Sequence, residues 1–250
     1  MKLLVDMGNS RLKSAVLNEA RELVQFVFKP YDDLGPVETL GEHVDSYAAV
    51  ESVVLVSVLG SEFHRQVIEL LKKRSIPLCW VASEANLHGV INNYRQPTQL
   101  GSDRFVALVA ARKAFPDYCC IVIDCGTAVT VDAINDCGEF CGGVIIPGLK
   151  LWSDSLIKRA GQLNEHQIED AELFARDTAQ AIGSGSIFGL TSAIEGVSLR
   201  MTEQLKQSKH GDAEVKLIIC GGDAELIAQY SYLAFEVMPH LVLLGLAEYT

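Results

Sequence analysis

The chain has 250 residues, of which 49% are hydrophobic and 21% are charged, so its apolar material suffices for one large globular domain or two medium ones. Its formal net charge of −11, with no long run of Lys or Arg, argues against nucleic acid as a main partner. No segment approaches the roughly 18 apolar residues of a membrane span. Asp6 interrupts the N terminus before a signal peptide could form, so we expect a cytoplasmic protein with no membrane partner.

The first half of the chain predicts a β-meander followed by alternating helices and strands. Short apolar runs broken by turn residues predict strands, and apolar residues at a spacing of three and four predict helices. The predicted elements are strands at 2–6, 12–17, 23–28 and 52–58, and helices at 36–50, 61–74 and 103–115. An irregular stretch at 84–99 precedes the helix at 103–115.

The second half repeats the order of the first. The predicted elements are strands at 120–124, 129–134, 139–146 and 215–220, and helices at 148–160, 170–182, 186–208 and from 223 onward. Three glycines, at 183, 185 and 189, predict a tight turn between the two middle helices. The pattern therefore predicts an α/β fold of two similar domains, residues 1–116 and 117–250, with a ligand-binding cleft between them.

Each half carries an Asp-x-Gly motif at the end of its first strand. Asp6-Met7-Gly8-Asn9-Ser10 aligns with Asp124-Cys125-Gly126-Thr127-Ala128. Such a turn presents a carboxylate and a run of backbone N–H groups that can cradle phosphate oxygens, and Lys13 adds positive charge. One copy alone is also typical of an ordinary hairpin turn. Two copies at equivalent positions favour a clamp for the phosphates of a nucleotide, and the absence of Gly-x-x-x-x-Gly-Lys-Ser/Thr excludes a P-loop enzyme.

A third segment, from Tyr94 to Arg104, places an acid beside an arginine where a helix begins. Asp103 is a candidate to accept the proton of an attacking hydroxyl, and Arg104 can bind a carboxylate with two hydrogen bonds. The alternative is that Asp103 only interacts with the helix dipole and that Arg104 is a surface residue. Gly221-Gly222-Asp223 can let the backbone approach a flat ligand such as adenine, or can be a plain strand-to-helix turn.

Together these residues resemble the type III pantothenate kinases, a family that also includes proteins described as Bvg accessory factors. The resemblance covers nearly the whole chain and rests on three motifs in the family's order. The motifs are Asp6-x-Gly8-Asn9-Ser10-x-x-Lys13, Gly101-x-Asp103-Arg104 and Asp124-x-Gly126-Thr127-Ala128-x-Thr130. Asp177 to Ile182 and Gly221 to Ala224 are similar to further family segments. Ser10 stands where Thr is frequent, a change that keeps the hydroxyl.

The resemblance implies two ribonuclease H-like domains of the actin and sugar-kinase superfamily and ATP-dependent phosphorylation of pantothenate, the first step of coenzyme A biosynthesis. It implies Mg²⁺, with Asp6 as a candidate ligand through water, a monovalent cation (K⁺ or NH₄⁺) at Asp124, and a homodimer. The nucleotide contacts that it implies are Asp6, Met7, Gly8, Asn9, Ser10, Arg11, Leu12, Lys13 and Thr127. The substrate contacts that it implies are Tyr94, Gly101, Ser102, Asp103, Arg104 and Thr178, the last across the dimer interface, with Asp103 as proton acceptor.

Two alternatives belong to other functional classes. One is a non-enzymatic transcriptional accessory protein that keeps the fold and the nucleotide pocket, against which the intact Asp6, Asp103 and Asp124 argue. The other is an actin-like protein that assembles with nucleotide, in which Gly101-x-Asp103-Arg104 would have no evident purpose.

Overall fold

The strands and helices of the protein alternate much as the apolar periodicity predicts. The computed structural model describes residues 1–31, 33–160, 171–207 and 214–250. The chain forms two compact units, of which unit 1 comprises residues 1–114 and 240–250 and unit 2 comprises residues 115–239.

The described elements are as follows in chain order. Up to residue 114 they are β1 (Lys2–Met7), β2 (Arg11–Leu17), β3 (Leu23–Pro30), α1 (Pro36–Asp45), β4 (Ser52–Ser57), α2 (Ser61–Lys73), β5 (Leu78–Val81), β6 (Asn86–Leu87), β7 (Val90–Asn92), a 3₁₀ turn (Pro97–Gln99) and α3 (Ser102–Ala114). They continue as β8 (Cys119–Cys125), β9 (Ala128–Ile134), β10 (Glu139–Pro147), α4 (Leu149–Ala160), α5 (Thr178–Gln207), β11 (Val215–Gly221), α6 (Ala224–Tyr230), β12 (Glu236–Val237), α7 (Leu241–Leu246) and a 3₁₀ turn (Ala247–Tyr249).

Unit 1 is built on a five-stranded sheet in the order β3-β2-β1-β4-β5. β1 is antiparallel to β2 and parallel to β4, and it is buried from Leu3 to Met7. Because strand side chains alternate between faces, Leu3, Val5 and Met7 share one face, where they pack with α1 and α2 in a common core. On α2, Phe63, Val67 and Leu71 form the buried stripe.

Unit 2 repeats this topology, which confirms the predicted repeat. Its strands run in the order β12-β11-β8-β9-β10, and β8 is antiparallel to β9 and parallel to β11. Ile121 and Ile123 of β8 share a core with Leu190 and Ile194 of α5. As a result, the end of β8 occupies in unit 2 the topological position that the end of β1 occupies in unit 1.

The predicted turn at glycines 183, 185 and 189 is wrong, because α5 is one continuous helix that begins at Thr178. A Cβ on Gly189 would come within 3.3 Å of the Trp152 ring of α4, so the missing side chain lets the two helices pack closely. Burial of Ile187, Leu190 and Ile194 outweighs the roughly 1 kcal/mol by which each helical glycine disfavours the helix.

The C-terminal residues 240–250 pack with unit 1, where α7 contacts α3 and β1. A Cβ on Gly245 of α7 would collide with the carbonyl oxygen of Val106 of α3, so this glycine permits close packing of the two helices. The domain assignment of 1–116 and 117–250, and the cleft between the domains, stay predictions. None of the described helices combines the length and apolar character that a bilayer span requires.

Candidate active site

The turn between β1 and β2 presents the first motif. Asp6 lies next to the end of β1, opposite Lys13 of β2 in the register of the sheet. Its side chain is buried, and one carboxylate oxygen lies 3.7 Å from the Lys13 ammonium nitrogen. The tip of the turn, at Asn9 and Ser10, is exposed. The structure therefore brings together the predicted carboxylate and the predicted cation behind a turn that solvent can reach.

Tyr31, which belongs to none of the three motifs, stabilises this turn by hydrogen bonding to its backbone. The N–H of Gly8 donates to the carbonyl oxygen of Arg11 at 3.1 Å. The Tyr31 hydroxyl lies 2.6 Å from the carbonyl oxygen of Gly8 and 3.0 Å from that of Arg11, to which it donates. Burial, and secondly the negative charge of Asp6, raise the pKa of Tyr31. The hydroxyl thus stays protonated, and its single proton can be shared between the two carbonyl oxygens.

The turn between β8 and β9 presents the second motif in the same way. The N–H of Gly126 donates to the carbonyl oxygen of Ala128 at 3.2 Å, and Thr127 at the tip is exposed. Gly148, at the start of α4, donates its N–H to the carbonyl oxygen of Thr127 at 3.1 Å. A Cβ on Gly148 would collide with the carbonyl oxygen of Gly126 and lie 2.6 Å from that of Thr127. Only glycine at 148 therefore allows this support of the turn.

Asp124 lies at the end of β8 against the turn that follows β11. Its Oδ1 atom is buried, and within the described ranges no hydrogen-bond partner reaches it. Gly221 approaches so closely that a Cβ there would lie 2.5 Å from this oxygen, and its φ of 95° favours glycine. The N–H of Asp223 donates to the carbonyl oxygen of Cys125 at 3.2 Å. A desolvated carboxylate oxygen without a donor is a suitable ligand for a cation.

The neighbouring Cys125 is not a candidate nucleophile. Burial raises the pKa of its thiol, and the negative charges of Asp124 and Asp223 raise it further. A protonated, buried thiol is inert. The candidate ligand-binding groups at the end of β8 are therefore oxygen atoms, not the Cys125 sulfur.

The third motif lies at the N-terminal end of α3, which is buried from Arg104 to Ala111. The carboxylate of Asp103 accepts the N–H of Arg104 at 2.8 Å. A Cβ on Gly101 would lie 2.7 Å from the Asp103 Oδ1 atom, so a larger residue at 101 would force the Asp103 carboxylate to move. Arg104 donates to the Tyr94 hydroxyl at 3.1 Å, and its guanidinium carbon lies 5.8 Å from the centre of the Tyr94 ring. The predicted substrate contacts Tyr94 and Arg104 are thus in direct contact.

Thr178 is the first residue of α5 in unit 2. The residue before it, Asp177, accepts the N–H of Gln180 at 2.8 Å, while the Gln180 side chain accepts the N–H of Arg176 at 2.9 Å. The first bond satisfies a backbone donor of the first turn, the second ties the residue before the cap to that turn, and together they hold Thr178 at a defined helix start. Across the described residues, no group of three or more His, Cys, Asp or Glu side chains is placed to hold a metal ion.

Two solved structures share this fold. A Campylobacter jejuni protein described as a Baf family transcriptional activator matches with a TM-score of 0.61 at 20% identity, covering 98% of this chain and 96% of that one. A Sinorhizobium meliloti protein described as a 2-dehydro-3-deoxygalactonokinase matches with a TM-score of 0.53 at 13% identity, covering 99% of this chain and 97% of that one. The predicted α/β fold of the actin and sugar-kinase type is confirmed.

The sequence comparisons point to one family. The family model described as type III pantothenate kinase matches residues 2–200. A type III pantothenate kinase of Janthinobacterium sp. (strain Marseille) is 36% identical, over 98% of this chain and 96% of that protein. Another, of Herminiimonas arsenicoxydans, is 34% identical with the same coverage. This chain belongs to the type III pantothenate kinase family.

Proposed function

We propose that this protein transfers the γ-phosphoryl group of ATP to the terminal hydroxyl of pantothenate, giving 4'-phosphopantothenate in the first step of coenzyme A biosynthesis. The observation that carries this proposal is the family match over residues 2–200, which spans all three motifs. Phosphoryl transfer depends mainly on positioning and charge neutralisation. The two strand-end turns offer backbone N–H groups for phosphates, and the buried Arg104 offers a positive charge.

The nucleotide is held, in this proposal, by residues 6–13 and by Thr127. Both turn tips are exposed, whereas the carboxylate of Asp6 is buried behind the first. Lys13 lies 3.7 Å from Asp6 and brings positive charge to the phosphate side of this turn. When bound, ATP would supply the phosphoryl group and Mg²⁺ would neutralise its negative charge. Asp6 would help to hold the magnesium ion, through a water molecule.

Asp124 is proposed to hold the monovalent cation, K⁺ or NH₄⁺. The fit rests on its buried Oδ1 atom, which no hydrogen-bond donor of the described chain approaches. Gly221 lies so close to the carboxylate that a residue with a Cβ would not fit at position 221. A bound cation would offset the cost of leaving that oxygen desolvated.

The acceptor is proposed to bind at the N-terminal end of α3, near Gly101, Ser102 and Tyr94. Arg104 is buried and supplies the positive charge that a carboxylate needs. Asp103 accepts the hydroxyl proton as the P–O bond forms, and its carboxylate is already oriented by the Arg104 N–H at 2.8 Å. An ordinary carboxylate is a weak base towards an alcohol, so its effect comes from placement and late proton transfer.

A homodimer in which Thr178 contacts the substrate of the partner subunit completes the proposal. Three large apolar side chains of α4 and α5, Leu151, Leu156 and Leu199, are exposed in the single chain. Apolar side chains on adjacent helices are typical of a surface that a second copy covers. Sedimentation with ATP separates such a dimer from the actin-like polymer.

The test is ADP release with and without pantothenate, measured by a coupled assay on the wild type, Asp103→Asn and Asp45→Asn. Removing a positioned general base lowers turnover by about 100- to 10,000-fold. Asp45 is the matched control, because its carboxylate pairs with Arg74 outside the three motifs. A wild type that releases no ADP in response to pantothenate overturns the proposed function, and equal turnover of wild type and Asp103→Asn removes Asp103 as the base.

A further inference from the structure

Asn92 and Ser83 form a buried polar pair beneath the loop that carries Tyr94. Both residues are 5% exposed. The Asn92 Nδ2 atom donates to the Ser83 Oγ atom at 3.0 Å and to the carbonyl oxygen of Pro97 at 3.0 Å. The Ser83 hydroxyl donates to the same Pro97 oxygen at 3.0 Å. These contacts close a triangle that ties the loop to residue 83, and we call it the Asn92 clamp.

The clamp also fixes the residue that touches Arg104. The Asn92 Oδ1 atom accepts the N–H of Tyr94 at 3.1 Å, while the N–H of Asn92 donates to the carbonyl oxygen of Ala85 at 2.9 Å. Position 92 thus needs an acceptor facing Tyr94 and a donor facing Pro97. A neutral carboxamide provides both in one planar group, whereas a carboxylate of the same shape provides only acceptors.

The clamp reaches the predicted base through the backbone. The Pro97 carbonyl oxygen also accepts the N–H of Leu100 at 3.2 Å, which closes the 3₁₀ turn before α3. Leu100 is buried, and the next residue, Gly101, is the one whose missing Cβ leaves room for the Asp103 carboxylate. The buried Asn92 amide therefore positions both Tyr94 and the turn that leads into Gly101, the two parts of the segment from Tyr94 to Arg104.

We propose that Asn92 and Ser83 are positioning residues that set the affinity for the acceptor substrate. They fix the Tyr94 backbone and the Pro97 turn, and through them Arg104 and Asp103. The inference rests on the proposed function for the identity of that substrate. The side-chain hydrogen bonds of Asn92 to Ser83, Tyr94 and Pro97 all lie within residues 83–97, so the clamp acts on this loop and not on the turns assigned to ATP.

The experiment compares wild type, Asn92→Asp and Ser83→Ala by initial-rate kinetics and by amide hydrogen exchange of residues 93–100. Asn92→Asp keeps the shape and removes the donor, and Ser83→Ala is a milder change that leaves the amide in place. Loss of one or two buried hydrogen bonds is expected to raise KM for pantothenate about tenfold for Asn92→Asp and about threefold for Ser83→Ala. KM for ATP should change less than about twofold, and exchange should quicken in 93–100.

Thr39→Val is the matched control. The Thr39 hydroxyl is buried and donates to the carbonyl oxygen of Gly35 at 2.6 Å, in a helix of unit 1 that contributes no site residue. Its loss should lower stability without changing either KM. If Asn92→Asp raises both KM values equally, or leaves exchange in 93–100 unchanged, the clamp proposal is overturned. A wild type without turnover on pantothenate would overturn the proposed function instead, while the exchange comparison would still decide the clamp.

Discussion

The replacement Gly148→Ala tests whether the β8–β9 turn binds the phosphates of ATP. A Cβ at position 148 would collide with the Gly126 carbonyl oxygen and lie 2.6 Å from that of Thr127. The obstructing atoms are backbone, so no side-chain rotation can relieve the contact. The Gly148 N–H also supports the turn by donating to the Thr127 oxygen at 3.1 Å. The turn must therefore move away from α4 by a substantial part of an ångström.

A misplacement of about 1 Å at a reacting centre can cost about 100-fold in rate. We expect kcat/KM for ATP to fall by about 10- to 100-fold in Gly148→Ala, which corresponds to about 1.4–2.7 kcal/mol of lost transition-state stabilisation. KM for pantothenate should change much less, because Gly101, Asp103 and Arg104 belong to unit 1. The assay is steady-state ADP release with each substrate varied in turn.

Gly185→Ala is the control, since it makes the same chemical change in the same unit. A Cβ on Gly185 would meet no atom within 4 Å, and the residue lies in α5. This variant should keep the ATP kinetics and gain about 1 kcal/mol of helix stability. The reasoning is refuted if Gly148→Ala, folded as shown by its thermal transition, has the kcat/KM for ATP of the wild type.

Two further predictions follow from buried groups. Tyr31→Phe removes the hydroxyl that lies 2.6 Å from the Gly8 carbonyl oxygen, and one such hydrogen bond is worth about 1 kcal/mol. KM for ATP should therefore rise about fivefold in initial-rate measurements. An unchanged KM for ATP would show that Tyr31 does not support nucleotide binding. His43 is buried against Ser14, and burial, then the charge of Lys29, lower its pKa to about 4. Because the unfolded chain takes up the proton near pH 6.5, stability should fall by about 3 kcal/mol as the pH drops from 6.5 to 4. Urea unfolding of wild type and His43→Gln across this range should show that the loss is smaller in the variant.

Local pattern was sufficient to predict the meanders, most helices and the three motifs. Residues 2–7 and 119–125 are apolar runs that end in Asp-x-Gly, and such a pattern determines both the strand and the turn that follows. The turn predicted at Gly183 to Gly189 failed because glycine marks both turns and close helix packing. The contact of Gly189 with Trp152 decides between them, and that contact joins residues far apart in sequence.

The supporting residues could not be predicted for a related reason. Tyr31 bonds to a turn 20 or more residues away, and Asn92 to Ser83 across a loop. Gly148 stood at the start of the helix predicted at 148–160, but only the folded chain shows that it meets Gly126. Motifs therefore reveal the groups proposed to meet the ligands, whereas the groups that hold them are specified by long-range geometry.

The two units share one topology, but the equivalent carboxylates of Asp6 and Asp124 have different charged neighbours. In unit 1 the residue opposite Asp6 in the register is Lys13, and its ammonium nitrogen lies 3.7 Å from the carboxylate. In unit 2 the residue opposite Asp124 is Thr130, which carries no charge. The repeat thus supplies a built-in cation to the first aspartate and none from the equivalent position to the second. This difference supports the proposal that a monovalent cation binds at Asp124, because desolvated negative charge must be balanced where the chain itself does not balance it.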